Sequence, residues 1–114
     1  MSTVPKIKAD PLYRLLREGR VDAFNEQKAQ GKTCDLMHCD LRGIDLRGLD
    51  ADGLDLSGSY FRQADLRGVD LSKAKLEGAS IHSARIAGAY FPREISADEI
   101  LLSFMHGTRM RYRS

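Results

Sequence analysis

Between residues 34 and 93 apolar positions recur at every fifth residue. The series Leu36, Leu41, Leu46, Ala51, Leu56, Phe61, Leu66, Leu71, Leu76, Ile81, Ile86 and Phe91 is apolar without exception. In a chain that is 42% hydrophobic, chance yields such a run in about one case in 10⁴, all frames considered. A second column lies two residues earlier (Cys34, Cys39, Ile44, Leu49, Leu54, Ser59, Ala64, Val69, Ala74, Ala79, Ala84, Ala89) and is small or apolar throughout. The other columns are polar. Asp stands before the centre at Asp35, Asp40, Asp45, Asp50, Asp55, Asp65 and Asp70, and Gly stands two after it at Gly43, Gly48, Gly53, Gly58, Gly68, Gly78 and Gly88. The repeat reads small–Asp–Leu–x–Gly.

A period of five matches neither the 3.6 of a helix nor the 2.0 of a strand. It matches a chain that turns a corner every five residues. Gly supplies the positive φ that tight turns need. Asp can hydrogen-bond nearby backbone in Asx geometry, which also suits a corner. The centre and the residue two before it then face inward, and four sides close a coil of about twenty residues.

The run resembles the pentapeptide-repeat family, whose pattern is Ala-(Asp/Asn)-Leu-x-x. The clearest matches are Ala64-Asp65-Leu66-Arg67-Gly68 and Val69-Asp70-Leu71-Ser72-Lys73. The resemblance spans residues 34–93, roughly half of the 114-residue chain. It implies a β-solenoid: a right-handed quadrilateral β-helix with Leu or Phe centres stacked in internal ladders. The twelve pentapeptide repeats make about three coils, a stack about 14 Å tall at about 4.8 Å per layer. Numbering the sides from Leu36, the expected ladders are Leu36, Leu56, Leu76 on side one and Leu41, Phe61, Ile81 on side two. Leu46, Leu66, Ile86 follow on side three and Ala51, Leu71, Phe91 on side four. Ala51 is undersized, and the oversized Leu49 and Leu54 beside it read as compensation for volume.

A solenoid exposes a sheet edge and an apolar cross-section at each end, which invites polymerisation unless capped. The flanking segments suit that task. Residues 1–9 read as a flexible N-terminus and 10–33 as a helical hairpin cap. Asp10-Pro11 is an N-cap signal, Leu12, Leu15 and Leu16 form an apolar stripe, and Gly19 stops the first helix. A second helix is expected from Arg20 to Gln30, with Val21, Phe24 and Ala29 on one face and Phe24 as the plug over the first coil. Residues 94–114 read as a C-terminal helix and basic tail. Ser96-Ala97-Asp98-Glu99 is a capping box. It opens a helix to about His106-Gly107, whose apolar face carries Ile100, Leu101, Phe104 and Met105. That helix could cap the last coil or form a homodimer interface; the resemblance adds that other members of the family dimerise through C-terminal helices. One structural domain is expected overall.

Charge changes the picture little. Net charge is +2 with 30% charged residues, so no large single-sign field is expected. The register puts Arg42, Arg47, Arg62 and Arg67 on sides two and three as a weakly basic exposed face, with a weakly acidic face opposite. The tail alternates Arg109, Arg111 and Arg113 with Met110 and Tyr112. Arg with Tyr can hold phosphate and stack on bases; the same alternation also suits an edge strand lying on the shaft.

Candidate chemistry is sparse. Cys34, His38 and Cys39 lack the remaining ligands of a zinc site, and both thiols point inward in this register. The aspartates are spaced by corners, not converged in a cleft as a catalytic pair requires. No phosphate loop, nucleophile elbow or metal motif is present. The expectation is a protein that is not an enzyme, with no catalytic residue, metal or cofactor. The N-terminus carries no apolar leader and no run of about 20 apolar residues is present, so a cytoplasmic protein without membrane association is expected. A rigid shaft without a pocket favours a protein-binding scaffold with an unidentified protein partner. The resemblance also implies an alternative, a DNA-like modulator of DNA gyrase or topoisomerase of the fluoroquinolone-protecting kind. The short shaft and near-neutral repeats argue against it. A further alternative is an anionic ligand or nucleic acid held by the tail; that reading rests on a signal only six residues long, and nucleic acid is not the expected partner.

Overall fold

Corner chemistry sets the path of the chain. The computed structural model of the chain describes residues 8–113. All seven pre-centre aspartates accept a hydrogen bond from the N–H two residues ahead, at 2.9–3.2 Å. At the corner after Leu46, Leu49 N–H donates to Leu46 C=O (3.1 Å) and Gly48 has φ 83°; this is a type II turn, whose third residue needs positive φ. His38, Gln63 and Ser83 hold the same left-handed conformation at φ 55–60°, where an L-residue costs about 1–2 kcal/mol. The corner at Lys73 does without it, and there Gly53 N–H reaches Lys73 C=O (2.9 Å), one residue out of the register kept by Gly58 and Glu77.

Successive coils stack at a spacing of 20 residues. Parallel bridges join Asp40 to Tyr60, Asp45 to Asp65, Asp55 to Lys75, Tyr60 to Ser80, Asp65 to Arg85 and Asp70 to Tyr90. Around each bridge the bonds alternate in direction: Leu41 N–H donates upward to Tyr60 C=O (2.9 Å), and Tyr60 N–H downward to Cys39 C=O (3.0 Å). The continuous strands expected of a β-helix are not formed among the described residues; pairing occurs as isolated bridges. Two residues of every five are spent on the turn, so too few remain on a side to propagate a ladder.

The ladder residues fill the interior. From Leu36 to Ile81 each centre is buried, Ala51 included, as are Leu49 and Leu54 beside it; Ile86 and Phe91, on the last coil, are half-buried. Burying a Leu or Phe side chain contributes about 1.5–3 kcal/mol, and this repeated term is the main stabilisation of so short a stack. Ser59 is the one hydroxyl in the small column of the middle coil. Its Oγ donates to Leu36 C=O (2.5 Å) and accepts from Cys39 N–H (3.1 Å). It thereby satisfies the corner at His38 as a direct backbone bond does at Leu46–Leu49.

The N-terminal cap comprises α1 (Pro11–Arg17) and α2 (Val21–Ala29). Asp10 Oδ1 caps α1 through Leu12 and Tyr13 N–H, and Gly19 and Gly31 follow the two helices in the left-handed conformation. Phe24 is fully buried in the core. Ala29 is exposed, contrary to the face expected from sequence, because five residues beyond Phe24 it lies about 140° round the helix from that buried side chain. Tyr13, unremarked in the hydrophobic pattern, is also fully buried. Side chains close the lower edge of coil one. Asp10 Oδ2 accepts from Asp35 N–H (2.8 Å), and Tyr13 OH donates to Asp40 C=O (2.7 Å). The Asn25 amide acts as a surrogate peptide: Nδ2 donates to Gly48 C=O and Oδ1 accepts from Asp50 N–H, both at 2.9 Å. Most of the flexible segment expected over 1–9 lies outside the described residues; Lys8 is pinned to Asp35 (2.8 Å).

At the other end lies α3 (Ala97–His106), capped by Ser96 Oγ on Glu99 N–H (3.2 Å) and ended by Gly107 at φ 74°. The helix and the tail close sides one and two of the last coil in cis. Ser103 Oγ accepts from Ile81 N–H (3.0 Å), Phe104 C=O from Ser83 N–H (3.0 Å), Met110 C=O from Gly78 N–H (2.7 Å) and Tyr112 OH from Leu76 N–H (3.0 Å). Met110 is fully buried above Ala79, where its N–H donates to Ala79 C=O (2.9 Å).

Candidate functional site

The end formed by α3 is where the surface departs from an ordinary solvated one. The helix turns Ser103 into the protein, fully buried, and half-buries Ile100. Its hydroxyl is needed there because Ile81 N–H at the edge of the coil would otherwise be an unpaired buried donor. The consequence is that the apolar stripe turns outward: Leu101 is 55% exposed, Met105 54%, Leu102 42% and Phe104 37%, with Tyr90 of the last coil 66% exposed. Of the helix residues singled out in the sequence, Leu101, Phe104 and Met105 thus share the exposed side and Ile100 does not. Leu102 was missed; it lies outside a strict i, i+3, i+4 stripe.

The tail residues are engaged within the chain. Arg109 donates to the Tyr60 hydroxyl (2.5 Å), its guanidinium 5.5 Å from the ring centroid. Arg111 is forked onto Glu99 (2.9 Å to Oε2), which holds that carboxyl below its usual range; Glu99 thus serves the tail and not the Ser96 N–H of a reciprocal capping box. Arg113 N–H donates to Glu94 C=O (2.8 Å), and Tyr112 is half-buried. The tail is therefore a strap: Met110 and Tyr112 inward, the arginines outward.

The arginines of sides two and three fall into two kinds. Arg42, Arg47 and Arg67 each clamp the aspartate two residues before them through Nε and Nη2, at 2.7–3.0 Å. Arg47 also reaches Asp65 of the next coil at 3.5 Å. The Arg67 hydrogen bonds, with Arg47 nearby, pull the Asp65 carboxyl down to about 2, and the equivalent clamps lower Asp40 and Asp45. Arg62 has no such clamp, because Tyr60 stands where the aspartate would be. The weakly basic face expected from sequence is thus largely a row of neutral forks.

The two cysteine thiols are held in their protonated form. Burial pushes the Cys39 thiol up to about 11 and raises Cys34; both are free cysteines, and a protonated thiol is a poor nucleophile and metal ligand. The His38 ring packs against Gly58 of the coil above it, and His82 lies beneath Gly107. No group of three or more His, Cys, Asp or Glu that could hold a metal occurs among the described residues, and no helix there is long and apolar enough to cross a membrane. Open grooves lie beside the N-terminal cap, one of them lined by Arg17, Asp40, Arg42, Gly43, Arg62 and Gln63.

No curated protein and no solved structure is significantly similar to this chain. A family model described as pentapeptide repeats, in 8 copies, matches residues 34–72 and 55–91. These two overlapping stretches span residues 34–91, just over half the chain, and coincide with the stacked coils: the chain belongs to the pentapeptide-repeat family.

Proposed function

We propose that this protein is a non-catalytic docking scaffold, a right-handed quadrilateral β-helix that offers the exposed face of α3 to a protein partner. The family suggests a non-enzymatic repeat scaffold. The observation that carries the reading is the orientation of α3, which leaves Leu101, Leu102, Phe104 and Met105 in solvent while a serine is buried. Large side chains clustered on one surface mark an interaction site more often than scattered ones do. A second copy of the chain is the first occupant to test. The gyrase-directed reading draws no support from outer sides neutralised by Asp–Arg forks. The tail reading competes with the internal contacts of Arg109 and Arg111.

The test is the double variant Leu101→Glu/Phe104→Glu, which keeps Ser103 and the tail and so preserves the end cap. Deleting residues 96–114 would instead uncover the last coil. Sedimentation of the wild type is expected to show a concentration-dependent dimer that the variant loses. A wild type that stays monomeric at high micromolar concentration removes the second copy as occupant. If, in addition, wild type and variant capture the same proteins to the same extent, the docking function of α3 is wrong.

A further inference from the structure

The open groove between α1 and side two holds three guanidiniums and one carboxylate. Asp40, whose side chain is only 9% exposed, is forked by Arg42 at 2.8 Å through both oxygens. Arg17 approaches from α1: its Nη1 lies 3.3 Å from Asp40 C=O, 3.5 Å from Arg42 C=O and 3.8 Å from Asp40 Oδ1. Arg62 stands one coil above Arg42 in the same column and lines the same groove with Gln63. Asp40 is thus already committed, and Arg62 has no carboxylate partner among the described residues.

The chain itself shows what such an arginine is placed to hold. In three other repeats the residue after the centre is Arg, and in all three it forks the aspartate two residues earlier. At Arg62 the backbone turns the same kind of corner, with Gln63 at φ 60° where Gly43 has φ 72°, but Tyr60 replaces the aspartate, and the Tyr60 hydroxyl accepts from Arg109 instead. Unbalanced positive charge beside Arg42 and Arg17 raises the free energy of the empty groove, and an added carboxylate relieves it. Planar, bidentate capture of carboxylate is what a guanidinium does best.

We propose that Arg62, supported by Arg42 and Arg17, receives a carboxylate in trans: an Asp or Glu side chain from an acidic segment of a protein partner, which approaches from the open side of the groove and takes the pairing role that aspartate has in cis at 40, 45 and 65. The proposal is independent of α3, since it concerns a different surface and is tested with different variants. Because the groove is open to solvent, binding of a single acidic segment is weak and falls as salt screens the pair.

The experiment titrates the intact protein at low salt with a hexaglutamate peptide, followed by backbone and arginine side-chain amide spectra. Saturable shifts are expected at Gly43, Arg62 and Gln63. Arg62→Gln is expected to weaken binding about fivefold or more. Tyr60→Asp restores the clamp in cis and is expected to weaken it equally, with no change in the guanidinium itself. Arg67→Gln changes net charge by the same amount at an occupied fork and is expected to leave binding unchanged. The proposal is overturned if the peptide causes no saturable shift, or if Arg67→Gln weakens binding as much as Arg62→Gln. It is also overturned if inorganic phosphate or a duplex oligonucleotide binds the same residues more tightly than the peptide.

Discussion

Replacing Gly58 by alanine probes the stacking register at a single position. His38 lies one coil below Gly58, so a Cβ added at Gly58 would sit 2.2 Å from His38 Nδ1 and 2.5 Å from Cε1. Gly68 is the matched control: its φ is 73° against 70° for Gly58, and nothing lies within 4 Å of its added Cβ. Both substitutions carry the cost of a left-handed alanine, about 1 kcal/mol. Gly58→Ala must also rotate the His38 ring away, and an off-rotamer side chain with lost packing costs about another 1 kcal/mol. The expected losses are therefore about 2 kcal/mol for Gly58→Ala and about 1 kcal/mol for Gly68→Ala. His38→Gly removes the ring and suits the φ of 55° at that corner. In that background Gly58→Ala should cost only about 1 kcal/mol, a coupling of about 1 kcal/mol in a double-mutant cycle. Urea unfolding followed by circular dichroism measures each corner of the cycle, and thermal melts should separate the two single variants by about 4–8 °C. Equal losses for Gly58→Ala and Gly68→Ala with zero coupling would refute the placement of residue 38 beneath residue 58, and with it the spacing of 20 residues at the first corner.

Two further outcomes follow from the site geometry. Asp65 is an acid-side stabiliser: its folded value of about 2 lies below the usual 3.8, so its contribution is complete above pH 4 and is lost as pH falls through about 2. Asp40, Asp45 and Glu99 are lowered in the same direction. Urea midpoints should thus decline between pH 4 and pH 2, and Asp65→Asn should make that decline shallower; an unchanged slope would show the Arg67 fork to be unformed in solution. Met110→Asp places a carboxylate at a fully buried position and should release the tail, not unfold the coils, because the tail forfeits only its own burial and bonds, about 2–3 kcal/mol. Hydrogen exchange should then accelerate at Gly78, whose N–H donates to Met110 C=O, while Leu56 and Leu66 stay protected. Unchanged protection at Gly78 would contradict the strap.

Much of the shaft can be read directly from the chain. A five-residue period is incompatible with helix and with plain strand, and it assigns each of Leu36 to Phe91 an inward place before any coordinate is known. The corner aspartates are equally readable, since an Asx contact is local and needs nothing from the rest of the fold. What the period did not convey is how little strand results, because that depends on how many residues each turn consumes.

The ends are different. Ser103, Asn25 and Tyr13 carry no periodic signal, yet each satisfies a backbone group at an open coil edge. Their roles exist only because a finite stack has edges, and which residue meets which edge depends on how the flanking helices pack. The same holds for α3: sequence marks an apolar stripe, and an isolated stripe would be expected to face the core. Ile81 N–H demands a hydrogen-bond acceptor there, so the helix buries Ser103 and the stripe faces solvent. Arg62 lies between the two cases. The missing aspartate at position 60 is visible in the sequence. That Arg17 comes to lie beside the same groove is a matter of tertiary structure. Local chemistry, repeated at short range, decided the coil; contacts between distant segments, each solving an edge that the repeat leaves open, decided the surfaces available to a partner.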